Sequence, residues 1–185
     1  MRLLKVLVVL CALLLFAAPA NALLITPSTI PQYSGNQNNM PAIEAAIALD
    51  PGVDLSTFLY KSEVDGGGED GRLAGSYRTT YSNSPSDPAD ALIEYTGGRS
   101  IGGTDVWLLV KDGKQKPAWY LFDLDYLGWN GVAALRLSGF WPGNGAISNV
   151  SLYGTPVSEP ATMLLLGFGL IGLAAFGRKR YLKGA

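Results

Sequence analysis

The stretch TDVWLLVKDGKQKPAWYLFDL, residues 104–124, contains two aromatic-rich apolar runs separated by a polar segment that begins with Asp112-Gly113. Branched and aromatic residues favour β-strands, and an Asp-Gly dipeptide favours a tight turn because it accepts positive φ. The stretch therefore predicts two strands, Thr104–Lys111 and Ala118–Leu124, joined as a hairpin.

Similar runs lie on both sides of this stretch, with Gly, Pro, Asn and Asp in the gaps. They predict five further strands: Ser56–Glu63, Leu73–Ser82, Ala91–Thr96, Ala133–Phe140 and Ile147–Tyr153. Asn144-Gly145 predicts a second hairpin, between the last two strands. Short strands at this spacing indicate a mainly β domain, an antiparallel β-sandwich that is jelly-roll-like. The pattern does not give the strand connectivity that separates a jelly roll from an immunoglobulin-like fold.

The segment before these strands has a different composition. Residues 23–40 are rich in Pro, Asn, Gln and Ser and predict an extended lead-in, in which Leu24 and Ile25 add an edge strand. Residues 39–49 predict a short N-terminal helix, because Pro41 suits the first helical position. Three apolar residues of that helix share one face: Ile43, Ala46 and Ile47.

The charges divide the chain into three parts. All 15 acidic residues lie between Glu44 and Glu159, whereas only eight of the 14 basic residues lie there, so the middle of the chain has a net charge of −7. Phosphate backbones attract proteins of the opposite charge. The acidic middle part therefore argues against a nucleic-acid partner.

Residues 1–22 have the three parts of a secretory signal peptide. Two basic residues precede the apolar run 6–16, and Ala20 and Ala22 stand at the −3 and −1 positions of a signal peptidase site. A membrane anchor is the alternative, but the run is short for a bilayer. The only cysteine, Cys11, lies in this run, so residues 23–156 form a secreted domain without Cys or His. Disulfides, Ser-His-Asp sites and thiolate or histidine zinc sites are thus excluded, and we expect no enzymatic activity.

Two groups of carboxylates remain as candidates for chemistry. Asp123 and Asp125 are two residues apart, which suits a carboxylate pair of a glycan hydrolase if both lie on one face of a strand. The glycine-rich loop 63–71 contains Asp65, Glu69 and Asp70 and is a candidate calcium site, because calcium binds several oxygen ligands. Its spacing differs from the regular calcium loop, and a solvated hairpin tip is the alternative. No other cofactor is predicted.

The four tryptophans lie in the second half of the domain. Trp107 and Trp119 stand within apolar runs, which predicts that they belong to the core. Trp129 and Trp141 stand beside turns. If their rings are exposed, they are candidate platforms for a glycan.

The C-terminal segment, residues 157–185, has three parts. A short motif occupies 157–162, an apolar run at 163–177 predicts a transmembrane helix, and a basic tail occupies 178–185. The motif begins with Val157, Ser158, Glu159 and Pro160. The basic tail begins with Arg178, Lys179 and Arg180. Positive residues favour the cytoplasmic side, so we expect the tail inside and the domain outside.

This order of Ser-Glu-Pro, apolar run and basic cluster resembles the PEP-CTERM protein-sorting signal of Gram-negative bacteria, with Ser158 where the first proline usually stands. The resemblance implies recognition by a membrane exosortase, cleavage near Ser158–Pro160, and release to the cell surface or an exopolysaccharide matrix. Residues 137–154 also resemble the β-rich ectodomains that often precede this signal, which implies no established activity.

Together these features predict an exported surface or matrix protein with a structural or adhesive role linked to exopolysaccharide or biofilm. Signal peptidase and exosortase are its expected partners. Before processing, the domain is expected on the periplasmic side of the inner membrane, held by the C-terminal helix. The alternatives are a carbohydrate-binding module that engages exopolysaccharide and, less favoured, a carboxylate-dependent glycan hydrolase.

Overall fold

The computed structural model describes residues 22–30, 33–48, 52–64, 68–82, 88–112, 114–142, 145–157 and 169–170. Within these ranges the chain forms the α-helix α1 (Met40–Ile47) and ten strands. The strands are β1 (Leu23–Ile25), β2 (Tyr33–Gly35), β3 (Phe58–Glu63), β4 (Gly68–Asp70), β5 (Tyr77–Ser82), β6 (Asp90–Tyr95), β7 (Ser100–Lys111), β8 (Trp119–Asp123), β9 (Leu135–Leu137) and β10 (Asn149–Val157).

The strands form two sheets, as expected for a β-sandwich. One has four strands in the order β1-β9-β6-β5, and the other has six in the order β2-β8-β7-β10-β3-β4. Leu24 and Ile25 belong to an edge strand, which confirms that prediction. The expectation of a wholly antiparallel sandwich is wrong at this edge, because β1 pairs parallel with β9. A lead-in from a distant part of the sequence is not constrained by a short hairpin to run antiparallel to its neighbour.

The main core lies between the two sheets. Val110 and Leu108 of β7 stand opposite Val150 and Leu152 of β10, and all four side chains are fully buried. They belong to the same apolar cluster as Ile93 and the strand β9 leucines of the other sheet. Burial of each such side chain contributes about 1.5–3 kcal/mol before the entropy of ordering the chain is counted.

A second core lies on the other face of the six-stranded sheet. Helix α1 begins after Asn39, whose Oδ1 accepts a hydrogen bond from the Ala42 N–H at 2.9 Å, and it packs Ile43 and Ile47 onto the sheet. Ala46 is exposed, contrary to the prediction that it shares the buried face. Because both faces of β7 are covered, its apolar residues form a continuous run instead of alternating with polar ones.

The second core contains Trp107 and Trp119, which are 4% and 1% exposed. Their predicted place in the core is therefore confirmed.

The two predicted hairpins have different outcomes. Strands β7 and β8 are antiparallel neighbours, and the Asp112 N–H donates to the Ala118 carbonyl at 3.0 Å, so the first hairpin is confirmed with a loop longer than a two-residue turn. The hairpin predicted around Asn144-Gly145 is wrong, because β9 and β10 belong to different sheets. The segment between them crosses from one layer of the sandwich to the other.

Most of both predicted targeting segments lies outside the described residues. This applies to Ala20, to residues 158–168 and to residues 171–185, whereas Ala22 is described and exposed. Of the predicted transmembrane helix, the structure describes Gly169 and Leu170, which are helical and exposed. Among the described residues, none of the helical segments has the length and hydropathy needed to cross a bilayer.

Candidate functional site

A groove of about 310 Å³ lies beside α1 on the outer face of the six-stranded sheet. We call it the lysine groove. Its lining includes Glu44, Phe58, Lys61, Lys111, Asn149 and Tyr153. The volume is at the lower end of the range that holds small-molecule ligands, roughly 300–1,000 Å³.

The groove exists because α1 covers only part of the sheet. The helix packs over β7, β8 and β10, which supply Trp107, Trp119 and Tyr153 to the second core. Strand β3 lies beyond this cover, on the far side of β10. The polar side chains of the groove are therefore held at the boundary between a buried and an open part of one sheet.

Strand register brings the two lysines to the same face. Asn149 of β10 is the partner of Lys111 on β7, and Ser151, two residues on, is the partner of Lys61 on β3. Residues two apart on a strand point to the same side of the sheet. Lys61 and Lys111 thus flank the polar side chains of the central strand β10.

A β-bulge adds Phe58 to the same face. Tyr60 pairs with Leu152, but Phe58 pairs with Tyr153, so Leu59 is an extra residue in β3. Leu59 and Tyr60 both belong to the main core, whereas Phe58 packs on the second core. In a regular strand, Phe58 and Lys61 would lie on opposite faces, because they are three residues apart. The extra residue of the bulge brings both side chains to the same face.

The two lysines carry positive charge in an acidic domain. The ammonium group of Lys61 pairs with the carboxylate of Glu63, and the Lys111 Nζ donates to the Asn38 carbonyl at 3.2 Å. Burial, together with the positive charge of Lys61, lowers the pKa of Lys111. An ammonium group has three donors, so each lysine retains donors for a further acceptor.

The aromatic wall of the groove is formed by Phe58 and Tyr153. Their ring centroids are 6.0 Å apart, and the rings are tilted by 58°. Tyr153 is 4% exposed, its hydroxyl contacts the Met40 Sδ at 3.9 Å, and burial raises its pKa to about 12. Phe58 is only partly buried. Its ring is therefore the part of the wall that a ligand can reach.

The sequence did not single out the lysine groove. Lys111 carried a usable signal, because it shares the strand face of Trp107 and Leu109, and a charge on a buried face is unusual. Lys61 carried none, because its side depends on the register of β3 against β10, and that of Phe58 depends on the bulge at Leu59.

Asp123 and Asp125 serve a turn after β8. The Asp123 Oδ1 accepts the Tyr126 N–H at 2.9 Å, and the Asp125 Oδ2 accepts the Val106 N–H at 3.0 Å. Neither residue lines the lysine groove or the smaller cavity of about 230 Å³ at the end of α1. Their hydrogen bonds give both aspartates a structural role.

Trp129 and Trp141 are buried, with 8% and 9% of their surface exposed. Each indole N–H is bonded to a backbone carbonyl, that of Trp129 to Ala133 at 2.7 Å and that of Trp141 to Pro117 at 2.8 Å. Both rings belong to the main core, so neither presents a face on which a sugar can stack. The expectation of exposed platforms is thus corrected, because the turns fold these rings inward.

Glu69 and Asp70 lie on the short strand β4, and Asp65 lies outside the described residues. The Glu69 Oε1 accepts the Thr79 N–H at 3.0 Å and the Tyr60 hydroxyl at 3.2 Å, which joins β4 to the opposite sheet. Asp70 accepts the Gly71 N–H at 2.6 Å. Successive strand residues point to opposite faces, so these two carboxylates are not placed to share an ion. In the described part of the chain, no three metal-binding side chains of the His, Cys, Asp and Glu types cluster.

The last strand leads directly into the C-terminal segment. After an irregularity at Gly154, Thr155, Pro156 and Val157 pair with β7 alone, and Val157 is 40% exposed. The predicted sorting residues Ser158, Glu159 and Pro160, and the orienting residues Arg178, Lys179 and Arg180, lie outside the described residues. The described sheet thus ends one residue before the Ser-Glu-Pro motif.

Comparison with known families identifies this segment. Residues 156–180 match the family model of the PEP-CTERM protein-sorting motif. No curated protein and no solved structure gave a significant match to the chain. The motif implies an exported protein that is sorted through the membrane, with processing by an exosortase. The chain is therefore a protein that carries a PEP-CTERM sorting motif directly after a β-sandwich domain.

Proposed function

We propose that the processed domain is a structural or adhesive component of the cell surface or extracellular matrix, linked to exopolysaccharide or biofilm. The sorting motif carries this proposal, because the matched residues begin within the last two residues of β10, with no intervening segment. Cleavage near Ser158–Pro160, just after the end of β10, therefore releases the domain as one folded unit.

The chemistry of the domain supports a non-enzymatic role. The chain has no histidine, and its one cysteine precedes the domain. Asp123, Asp125 and Glu69 accept backbone hydrogen bonds that hold turns and strands together. These hydrogen bonds tie the carboxylates to the fold, which supports a structural role for them.

Before processing, the domain stands on the periplasmic side of the inner membrane. In this proposal signal peptidase cleaves after Ala22, residues 163–177 hold the protein in the bilayer, and Arg178, Lys179 and Arg180 remain inside. Exosortase then cleaves near Ser158–Pro160, and the domain moves to the surface or the matrix.

Substitution of the motif tests this proposal. We expect Glu159→Ala to leave the intact chain in the membrane fraction and to remove the domain from the surface and culture medium. Thr155→Ala, an exposed change just before the matched motif, is the control and should be processed normally. Mass spectrometry of the released protein gives its C-terminus. Released protein that retains residues beyond Arg180 would contradict the proposal.

A carbohydrate-binding module is the second candidate, and the lysine groove favours it. The buried Trp129 and Trp141 no longer support this role. The groove instead combines an accessible aromatic ring, Phe58, with charged and neutral hydrogen-bonding groups on one sheet face. Glycan-binding sites need this combination of an apolar surface and directed polar groups.

A further inference from the structure

We propose that the lysine groove binds a carboxylate-bearing sugar, such as a uronic acid unit of an acidic glycan. This inference rests on the second candidate function above and gives it a site and a ligand class. It does not depend on the sorting of the protein.

The negative group of the ligand is inferred from the lysines. Lys61 and Lys111 lie on strands that flank β10. The positive charge of Lys61 adds to the effect of burial in lowering the pKa of Lys111. An anion bound between them relieves this repulsion and accepts their remaining hydrogen bonds. The domain as a whole has a net negative charge, so two lysines at one groove form a locally positive site.

The sugar part of the ligand is inferred from the other walls. The partly exposed ring of Phe58 offers an apolar surface to the C–H face of a sugar ring. Asn149, from the central strand, supplies an amide that both donates and accepts hydrogen bonds. Glu44, on the helix side, supplies a carboxylate that accepts hydrogen bonds from sugar hydroxyls.

Glu44 also separates a sugar from a simple anion. A bare phosphate in the groove would be repelled by the Glu44 carboxylate, since like charges disfavour each other at short range. A uronic acid has both a carboxylate for the lysines and hydroxyl donors for Glu44. The mixed charge of the groove therefore favours the acidic sugar.

The test is a ligand-observed NMR titration of the full-length chain in detergent with D-galacturonate, D-galactose and inorganic phosphate. We expect D-galacturonate to bind at least about tenfold more tightly than either of the others, because it alone uses both the lysines and Glu44. The double variant Lys61→Gln/Lys111→Gln should weaken its binding by at least about tenfold. The matched control Lys114→Gln/Lys116→Gln removes the same charge from exposed positions and should leave binding within about twofold.

A second variant tests the inference even if the double lysine variant does not fold. Glu44→Ala, at an exposed helix position, should weaken D-galacturonate binding and strengthen phosphate binding. The inference is overturned if D-galacturonate shows no binding, if D-galactose or phosphate binds equally well, or if the double lysine variant retains full affinity. In cells that express the lysine variant, its localisation at the cell surface should be the same as that of the wild-type protein. Loss of localisation would point instead to failure of the proposed surface function.

Discussion

The hydroxyl group of Tyr77 connects the two sheets. Its removal should destabilise the sandwich more than the removal of a group from an exposed side chain. The hydroxyl donates to the Gly131 carbonyl at 2.8 Å and accepts the Ile101 N–H at 2.7 Å. Tyr77 is 2% exposed, and both partners are buried. Tyr77→Phe keeps the ring and leaves one donor and one acceptor without their partner.

The size of the effect follows from these two orphaned groups. Each unsatisfied buried polar group costs about 1–3 kcal/mol, so Tyr77→Phe should lower the free energy of unfolding by about 3 kcal/mol. This is a large part of the roughly 5–15 kcal/mol by which single domains are stable. The ring contacts of Tyr77 with Tyr60, Tyr95 and Trp129 are retained by phenylalanine, so the loss is assigned to the hydroxyl.

Urea unfolding of the purified protein, followed by tryptophan fluorescence, measures this change. With a slope of about 1–3 kcal/mol per molar urea, we expect the midpoint to fall by roughly 1–3 M at an unchanged slope. Tyr126→Phe, at a residue that is 76% exposed, is the matched control and should move the midpoint little. A loss below about 0.5 kcal/mol for Tyr77→Phe would refute the reasoning that these hydrogen bonds join the sheets.

Two further predictions concern titration and the aspartates after β8. Burial raises the pKa of Tyr77 and of Tyr153 to about 12, so between the ordinary tyrosine pKa of 10.0 and that value the folded state binds more protons than the unfolded state. The stability that these two tyrosines contribute should therefore be constant up to about pH 10 and should fall, on the order of 2 kcal/mol per tyrosine, as the pH rises towards 12. A free energy of unfolding that stays constant between pH 10 and 12 in urea titrations would contradict the assignment. Asp125→Ala removes the acceptor of the Val106 N–H and should lower the free energy of unfolding by about 1–2 kcal/mol, whereas Asp125→Asn, which keeps an acceptor, should lower it less. Glycan hydrolysis that is present in the wild-type protein and lost in Asp125→Asn would instead revive the hydrolase alternative.

The sequence predicted the elements of the fold better than their connections. Helix α1 followed from Asn39, Pro41 and the spacing of Ile43 and Ile47, all of which act within a few residues. The short strands β2 and β4 gave no pattern, because three residues are too few to show an alternation. Their formation depends on neighbouring strands that offer free backbone groups.

The candidate sites show the same division. The sorting motif was recognisable because its residue types, order and spacing act as a linear signal. The burial of Trp129 and Trp141 was not recognisable, because it results from packing in the main core. The indole hydrogen bond of Trp141, for example, reaches Pro117 across 24 residues of sequence.

By itself, the sequence determined that this is an exported protein with a mainly β domain, no histidine and a C-terminal sorting motif, since composition and linear motifs do not depend on long-range contacts. Only the tertiary structure decided that Trp129 and Trp141 are buried and that Phe58, Lys61 and Lys111 line one groove. The physical reason is the register between strands: one extra residue, Leu59, changes which side chains face outward, and no local pattern records it.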